Sequence, residues 1–299
     1  MGNVNANGHS NGADAAAPEP TQEPEMPADL RLGGMALRNG LLIHGPSSWS
    51  VAARSANGEI GVASGRKPDF GGNRVAGIPL LRGPIRLAEA FAVIPLARTQ
   101  LPSSRLPMED VRVVGAAVAA TVLGGAIRRR AKNGRVGPIR EGIAGTLGLM
   151  PALVALGGGE LAAYHGVEHK AIAAYESGEP DPMKAAKEHQ RCGSNLVGPM
   201  MLLSTVGQLA IDRLFERPGP LVRGVSAVAS ISLAVEAFAF AERRPDSAFG
   251  RAIHAGGDTI QRLFATREPT PEQLEVGIAA LSAVLEAERL AGTTAGAKA

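Results

Sequence analysis

The amino-acid sequence predicts a mainly α-helical, multi-helix membrane-associated bundle, with a small antiparallel β module before it and an amphipathic helix after it. Three observations carry this expectation. Four long apolar stretches follow one another between residues 113 and 241. Aromatic residues make up only 3% of the chain while 38 of its 299 residues are Gly, so its helices must pack by close backbone approach and not by large side chains. A segment near the N-terminus alternates with the two-residue period of a strand before an Asn-Gly turn dipeptide.

Residues 1–30 are rich in Asn, Gly, Ala, Pro and Glu and have neither a basic start nor an apolar run; they read as a disordered tail without a cleavable signal. Ala6 stands where an N-myristoylation pattern needs Ser or Thr. Residues 31–78 form the expected β-rich module. In it Trp49, Val51 and Ala53 alternate with Ser50, Ala52 and Arg54, and Asn57-Gly58 turns the chain toward Ile60 and Val62. Residues 79–265 form the expected helical membrane domain. It opens with PLLRGPIRLAEAFAVIPLA, whose apolar spacing and Arg86/Glu89 pair one turn apart suit an amphipathic helix.

The stretches 113–127, 143–164, 196–214 and 221–241 approach the roughly 20 residues that a bilayer-spanning helix needs. Glu160, Asp212, Arg223 and Glu236 interrupt three of them. Buried helices of a soluble bundle show the same runs and are the competing expectation. Basic residues flank several of the stretches, so charge leaves the orientation open. In the last helix, expected over 266–290, Thr270, Pro271 and Gln273 spell a capped N-terminus. Leu274, Ile278, Leu281 and Leu285 form its apolar stripe, with Glu272, Glu275, Glu286, Glu288 and Arg289 mostly facing away. Residues 291–299 read as a fraying tail.

Composition excludes some functions. A net charge of +3 spread along the chain, without aromatics interleaved among the basic residues, argues against nucleic acid. The single Cys192 excludes an internal disulfide framework. Motifs for nucleotide binding are missing from any setting that would support them.

Residues able to ligate a metal concentrate in HGVEHKAIAAYESGEP and AAKEHQRCGSN. If 165–175 is helical, His165 and His169 lie one turn apart on one face, where two imidazoles can grip one ion. Glu168 beside them is the candidate general base toward a metal-bound water. This is the His-x-x-Glu-His order of inverted zinc peptidases. A helix-loop-helix return brings in a second cluster, Glu188, His189, Arg191 and Cys192. His189 is the preferred third ligand, with Cys192, Glu176 and Glu236 as rivals. Glu236 qualifies because it interrupts an apolar helix and because inverted zinc peptidases draw a carboxylate ligand from far downstream. The bland alternative makes the two histidines polar interface residues, Glu168 and Lys170 surface ion pairs, and Cys192 an inert thiol.

At these residues the chain resembles the YqhQ-like proteins, the domain-of-unknown-function 1385 family. The pieces that carry the resemblance are GGMALRNGLLIHGP with WSVAAR, IPLLRGPIRLAEA, HGVEHKAIAAYESGE, HQRCGSN and RLFATREPTPEQLEVGIAAL, in that order. Gln190 replaces a proline typical of the family, leaving His189, Arg191, Cys192 and Gly193 in register. Asn39 and Leu41-Leu42 replace a typical glutamate and methionine pair. The resemblance implies an integral membrane protein with a metal site.

Together these readings lead to an expectation: a multi-pass protein of a bacterial inner membrane holding zinc or a similar divalent ion on His165, His169 and His189, with Glu168 as base for hydrolysis of a peptide or amide bond. The bilayer, a protein or peptide substrate and a second copy of the chain are the expected partners. A non-catalytic membrane scaffold with a structural metal or polar cluster is the alternative.

Overall fold

The computed structural model of the chain describes residues 30–71, 75, 77–129, 137–216 and 218–296. The expected N-terminal tail lies outside the described residues except for Leu30, which packs against the largest apolar cluster. Most of the basic loop 128–135 and the last three residues lie outside them as well.

Strands β1 (Gly33–Leu37), β2 (Gly40–His44), β3 (Ser48–Arg54) and β4 (Ile60–Arg66) form one antiparallel sheet in sequence order. Helices follow: α1 (Arg82–Gln100), α2 (Val111–Arg129), α3 (Pro138–Leu147), α4 (Met150–Gly157), α5 (Glu160–Ser177), α6 (Ser194–Leu214), α7 (Pro220–Arg243), α8 (Ala248–Ile260) and α9 (Pro271–Gly296). A π-helical turn, Gln261–Ala265, prolongs α8. The β3–β4 hairpin pairs Arg54 with Ile60 around a turn where Gly58 takes φ +90°, a value glycine adopts without strain.

The sheet is covered on both faces. Leu42, Trp49 and Val51 pack with Val93 and Ala97 of α1 on one face. Leu41, Ile43 and Ala52 pack on the other face with Tyr164, Val167 and Ile172 of α5 and with Val276, Ala280 and Val284 of α9. The two-residue period of a strand thus feeds two separate cores. Asn39, between β1 and β2, donates to the carbonyls of Arg54 and Ser103 and accepts from the Arg105 amide, at 2.8–2.9 Å, and so ties the sheet to the chain leaving α1.

Among the described residues, four helical segments are long and apolar enough to cross a membrane: Val111–Arg129, Pro138–Gly157, Ser194–Leu214 and Pro220–Arg243. Only 6–22% of the apolar window of each is buried, so their apolar sides face outward instead of into a shared core. This is the arrangement of helices whose solvent is lipid. Where they touch, small residues meet: Ala116, Ala120 and Gly124 recur at four-residue spacing on the buried side of α2, and Gly207 of α6 lies against Ser226 and Ser230 of α7. Three of the charges that interrupt the apolar stretches, Asp212, Arg223 and Glu236, are paired, as is Glu141 close by. Asp212 accepts from Arg223 at 3.1 Å, and Glu141 from Arg128 at 2.6 and 2.9 Å. Glu236 receives both Arg82 (2.8 and 2.5 Å) and the Leu80 amide. The expected second stretch differs from the structure: it breaks after Leu147 and ends at the Gly157-Gly158-Gly159 run, where Gly159 takes φ +85° and α5 starts at Glu160.

Helix α9 begins with the expected reciprocal cap, Thr270 N donating to Gln273 Oε1 (3.0 Å) and Gln273 N to Thr270 Oγ1 (3.3 Å). Its buried side departs from the expected stripe. Ile278 is exposed, whereas Val276, Ala280 and Val284 are fully buried, because α9 is wedged between the sheet and α5 and is covered on more than one side. Glu288, expected to face away, is buried and accepts from the amides of Ser47 and Ser48 and from Ser47 Oγ. The helix also runs to Gly296, beyond the expected end at residue 290.

Candidate metal centre

The site is built on α5. The three-glycine run before the helix frees its start, and Gly178, at φ +69°, ends it in the left-handed conformation with the Glu179 amide returning to Ala174 O at 2.9 Å. Gly166 lets a second segment cross α5 closely: a Cβ there would come within 2.2 Å of the carbonyl oxygen of Arg267. That crossing segment, residues 265–269, is fixed by Arg267 N donating to Ala162 O (2.9 Å). It is what brings the Ala265 carbonyl over His165.

His165 and His169 sit one turn apart with ring centroids separated by 4.4 Å. Each ring is oriented by a backbone carbonyl. His165 Nδ1 lies 2.9 Å from Ala265 O, and His169 Nδ1 lies 2.6 Å from Lys187 O. A carbonyl only accepts, so both Nδ1 atoms carry the proton and both Nε2 atoms present a lone pair. His165 Nε2 is 3.4 Å from Cys192 Sγ. His169 Nε2 is buried and has no hydrogen-bond partner among the described residues. The ligand atoms of His165, His169 and Cys192 all lie within 4.8 Å of one another. Zinc bound tetrahedrally to imidazole and thiolate spaces its ligands about 3.5 Å apart. Three soft or borderline donors, two of them in the tautomer held by carbonyls as in known metal sites, fit such an ion. The orphaned Nε2 is the sharpest feature of that fit, since a buried lone pair without a partner is costly.

The second expected cluster is arranged differently from the first. His189 places its ring 5.7 Å from that of His169, but its Nε2 lies 3.3 Å from Glu176 Oε2 and its Nδ1 accepts from the Arg191 amide. Burial lowers the His189 pKa, with Glu176 pulling it upward. Arg191 completes the group by pairing with Glu176. The structure thus brings Cys192 together with the two α5 histidines and brings His189, Glu176 and Arg191 together beside them. Glu236 joins neither group. Glu188 has no place in either.

Glu168 is buried, turned toward β1, where a Cβ on Gly34 would meet its carboxyl at 2.8 Å. It has no hydrogen-bond partner among the described residues, and burial raises its pKa while His165 draws it down. Lys170 is buried too: its Nζ donates to Met183 O and Ala185 O at 2.8 Å and pairs with Glu268, which ties α5 to the loops on either side of the site.

Sequence reasoning missed the π turn. Gln261, fully buried, accepts from His189 N at 2.8 Å and donates to His189 O at 3.2 Å, clipping the second cluster to the end of α8. Ala265, at the end of the same turn, supplies the carbonyl for His165. Asn195 holds the Cys192 loop through Gln190 O and Cys192 O.

No curated protein and no solved structure matches the chain. A family profile does: that of the family described as protein of unknown function (DUF1385) matches residues 160–287, from the first residue of α5 into α9. That segment holds His165, His169, Cys192 and the turns that orient them, and over it the chain is similar to the DUF1385 family.

Proposed function

We propose that the protein is a multi-pass membrane protein with a divalent metal, zinc by the chemistry of its donors, held by His165, His169 and Cys192, and that it acts as a metal-dependent hydrolase at the membrane surface. The observation that carries this reading is the buried Nε2 of His169, unpartnered among the described residues, on a ring that offers a ligand atom within 4.8 Å of those of His165 and Cys192. Four crossings return the chain to its starting side, which suits the packing of β1–β3, α5 and α9 into one unit from both ends of the chain.

A bound zinc ion supplies Lewis acidity and lowers the pKa of a water molecule in its remaining position. The chain contributes three ligands, which leaves that position open. Ala265 and Lys187 fix the imidazole tautomers through their carbonyls. Glu168, whose carboxyl has no hydrogen-bond partner among the described residues, would be the proton acceptor and later the donor to the leaving group. A peptide or amide bond is the first substrate class to test, by analogy with the inverted His-x-x-Glu-His order.

A structural site is the second reading, and it needs a fourth protein ligand. His189 is the candidate, yet its two ring nitrogens are engaged by Glu176 and the Arg191 amide, which favours the open site. Substitution of cobalt(II) into the purified protein tests both. A thiolate-to-metal charge-transfer band that Cys192→Ser abolishes and that an added anion perturbs supports the open centre. A spectrum indifferent to anions and lost in His189→Ala overturns it in favour of the closed one.

A further inference from the structure

On the far side of the ligand-bearing turns lies a cleft of about 630 Å³, lined by Leu153, Leu156 and Gly157 from the end of α4, by Arg262, Leu263 and Phe264 from the π turn, and by Thr266, Arg267, Glu268 and Lys187. Its charge is unbalanced. The one carboxylate, Glu268, is engaged by Lys170 Nζ at 2.8 Å. Lys187, Arg262 and Arg267 have no acidic partner among the described residues. Arg262 and Arg267 are exposed, whereas the half-buried arginines of the helical region, Arg82, Arg98, Arg128, Arg191 and Arg223, each have one. Beside these cations, Leu263, Phe264 and Leu153 are 66%, 55% and 50% exposed. Leu153 belongs to a segment apolar enough to cross a membrane and stands just before its end.

We propose that this cleft binds the phosphate-bearing headgroup of an anionic membrane lipid, with the acyl chains lying over Leu153, Leu263 and Phe264. Arginine forks match phosphate oxygens bidentately, and a lysine adds a third charge without fixed geometry. Basic residues grouped just outside the end of a spanning helix are the arrangement that recruits anionic lipids. A soluble anion would meet the same three cations but would leave the exposed Leu and Phe side chains bare, which is why the lipid is the better occupant. The cleft shares its walls with the candidate metal centre: Lys187 also carries the carbonyl bonded to His169, and the π turn that carries Arg262 also carries the carbonyl bonded to His165. A lipid headgroup held here lies directly behind both ligand-orienting turns. The inference rests on the membrane reading and is independent of the metal.

The test uses the full chain purified in neutral detergent, with bound lipid counted by native mass spectrometry during titration with dioleoyl phosphatidylglycerol or dioleoyl phosphatidylcholine. Wild-type protein is expected to bind phosphatidylglycerol about tenfold or more tightly than phosphatidylcholine, and millimolar inorganic phosphate is expected not to displace it. The double variant Arg262→Gln/Arg267→Gln loses that preference. Arg262→Lys/Arg267→Lys retains most of it, which guards against loss of fold as the cause. Equal binding of the two lipids by wild-type protein, or an unchanged preference in the Gln variant, overturns the proposal. Displacement by inorganic phosphate overturns it in favour of a soluble-anion site. Carbonate extraction of native membranes is done in parallel: release of the protein defeats the membrane reading itself, whereas retention without lipid preference defeats the lipid site alone.

Discussion

His169 donates its Nδ1 proton to the carbonyl oxygen of Lys187 across 2.6 Å, and this bond leaves its Nε2 buried with a free lone pair beside Cys192. In the proposed centre, removing that ring removes one of three ligands, and Ala offers no substitute for a direct bond to the metal. His169→Ala and Cys192→Ser are each expected to lower bound metal from near one equivalent per chain to less than about a tenth after dialysis, measured by plasma mass spectrometry. Glu236→Gln is expected to leave metal content unchanged, because Glu236 is paired with Arg82 away from the cluster. Full metal retention in both ligand variants ends the metal reading.

Glu168→Gln separates catalysis from architecture. Gln keeps the length of the side chain and cannot take a proton, so the variant should bind metal at the wild-type level and fail to complement a deletion strain. Full complementation with normal metal content argues for a scaffold.

Gly166→Ala tests how the second segment crosses α5. The added Cβ meets Arg267 O at 2.2 Å, a backbone atom that cannot rotate away. Segment 265–269 must lift, and the Ala265 carbonyl leaves His165 Nδ1. Loss of such an orienting partner typically weakens metal binding by about 10- to 100-fold. Competition with a chelator measures it, and an unchanged affinity means that the crossing segment does not orient the ring.

Glu288→Ala leaves the buried Ser48 amide and the half-buried Ser47 amide without their acceptor, with a cost of about 2–4 kcal/mol. Urea unfolding in a fixed detergent reads it, with Glu288→Gln expected in between, since one amide oxygen can still accept.

Much of this was legible in the sequence where the signal is periodic or punctuated: the β3–β4 hairpin from its alternation and Asn57-Gly58, the spans from their length, and α9 from Thr270-Pro271-x-Gln273. The histidine pair was legible because four-residue spacing puts two side chains on one helix face. What lay outside its reach depends on contacts between distant segments. The carbonyls of Ala265 and Lys187 orient the rings, and a carbonyl has no side-chain signature. Glu288 reads as solvated on α9 because nothing local announces that the β2–β3 turn, some 240 residues earlier, will offer it donors. Cys192 and His189 are three residues apart in one loop, and only the loop's course, set by Gln261 and Asn195, decides which of them meets His165.

His44, at the end of β2, gives the fold a pH response that can be read apart from the candidate metal centre. Burial first, and the nearby Lys67 second, lower its pKa from 6.5 to about 4, against smaller upward pulls from Gly45, Glu288 and Glu89. Its folded pKa therefore lies below the unfolded value, so folding favours the neutral ring. The stability it supports is fully present above about pH 6.5 and declines as pH falls toward 4, by about 1.4 kcal/mol per unit across that window. At pH 5 the loss attributable to this group is about 2 kcal/mol. Carboxylates titrate over part of the same range, so the comparison must be with a variant that lacks only the imidazole. His44→Gln should show a decline between pH 7.5 and 5 that is smaller than that of wild-type protein by roughly this amount, in urea unfolding under one detergent. Parallel curves for the two proteins would mean that His44 is protonated in the folded state at pH 5, and that the space around Gly33 and Lys67 admits water to its ring.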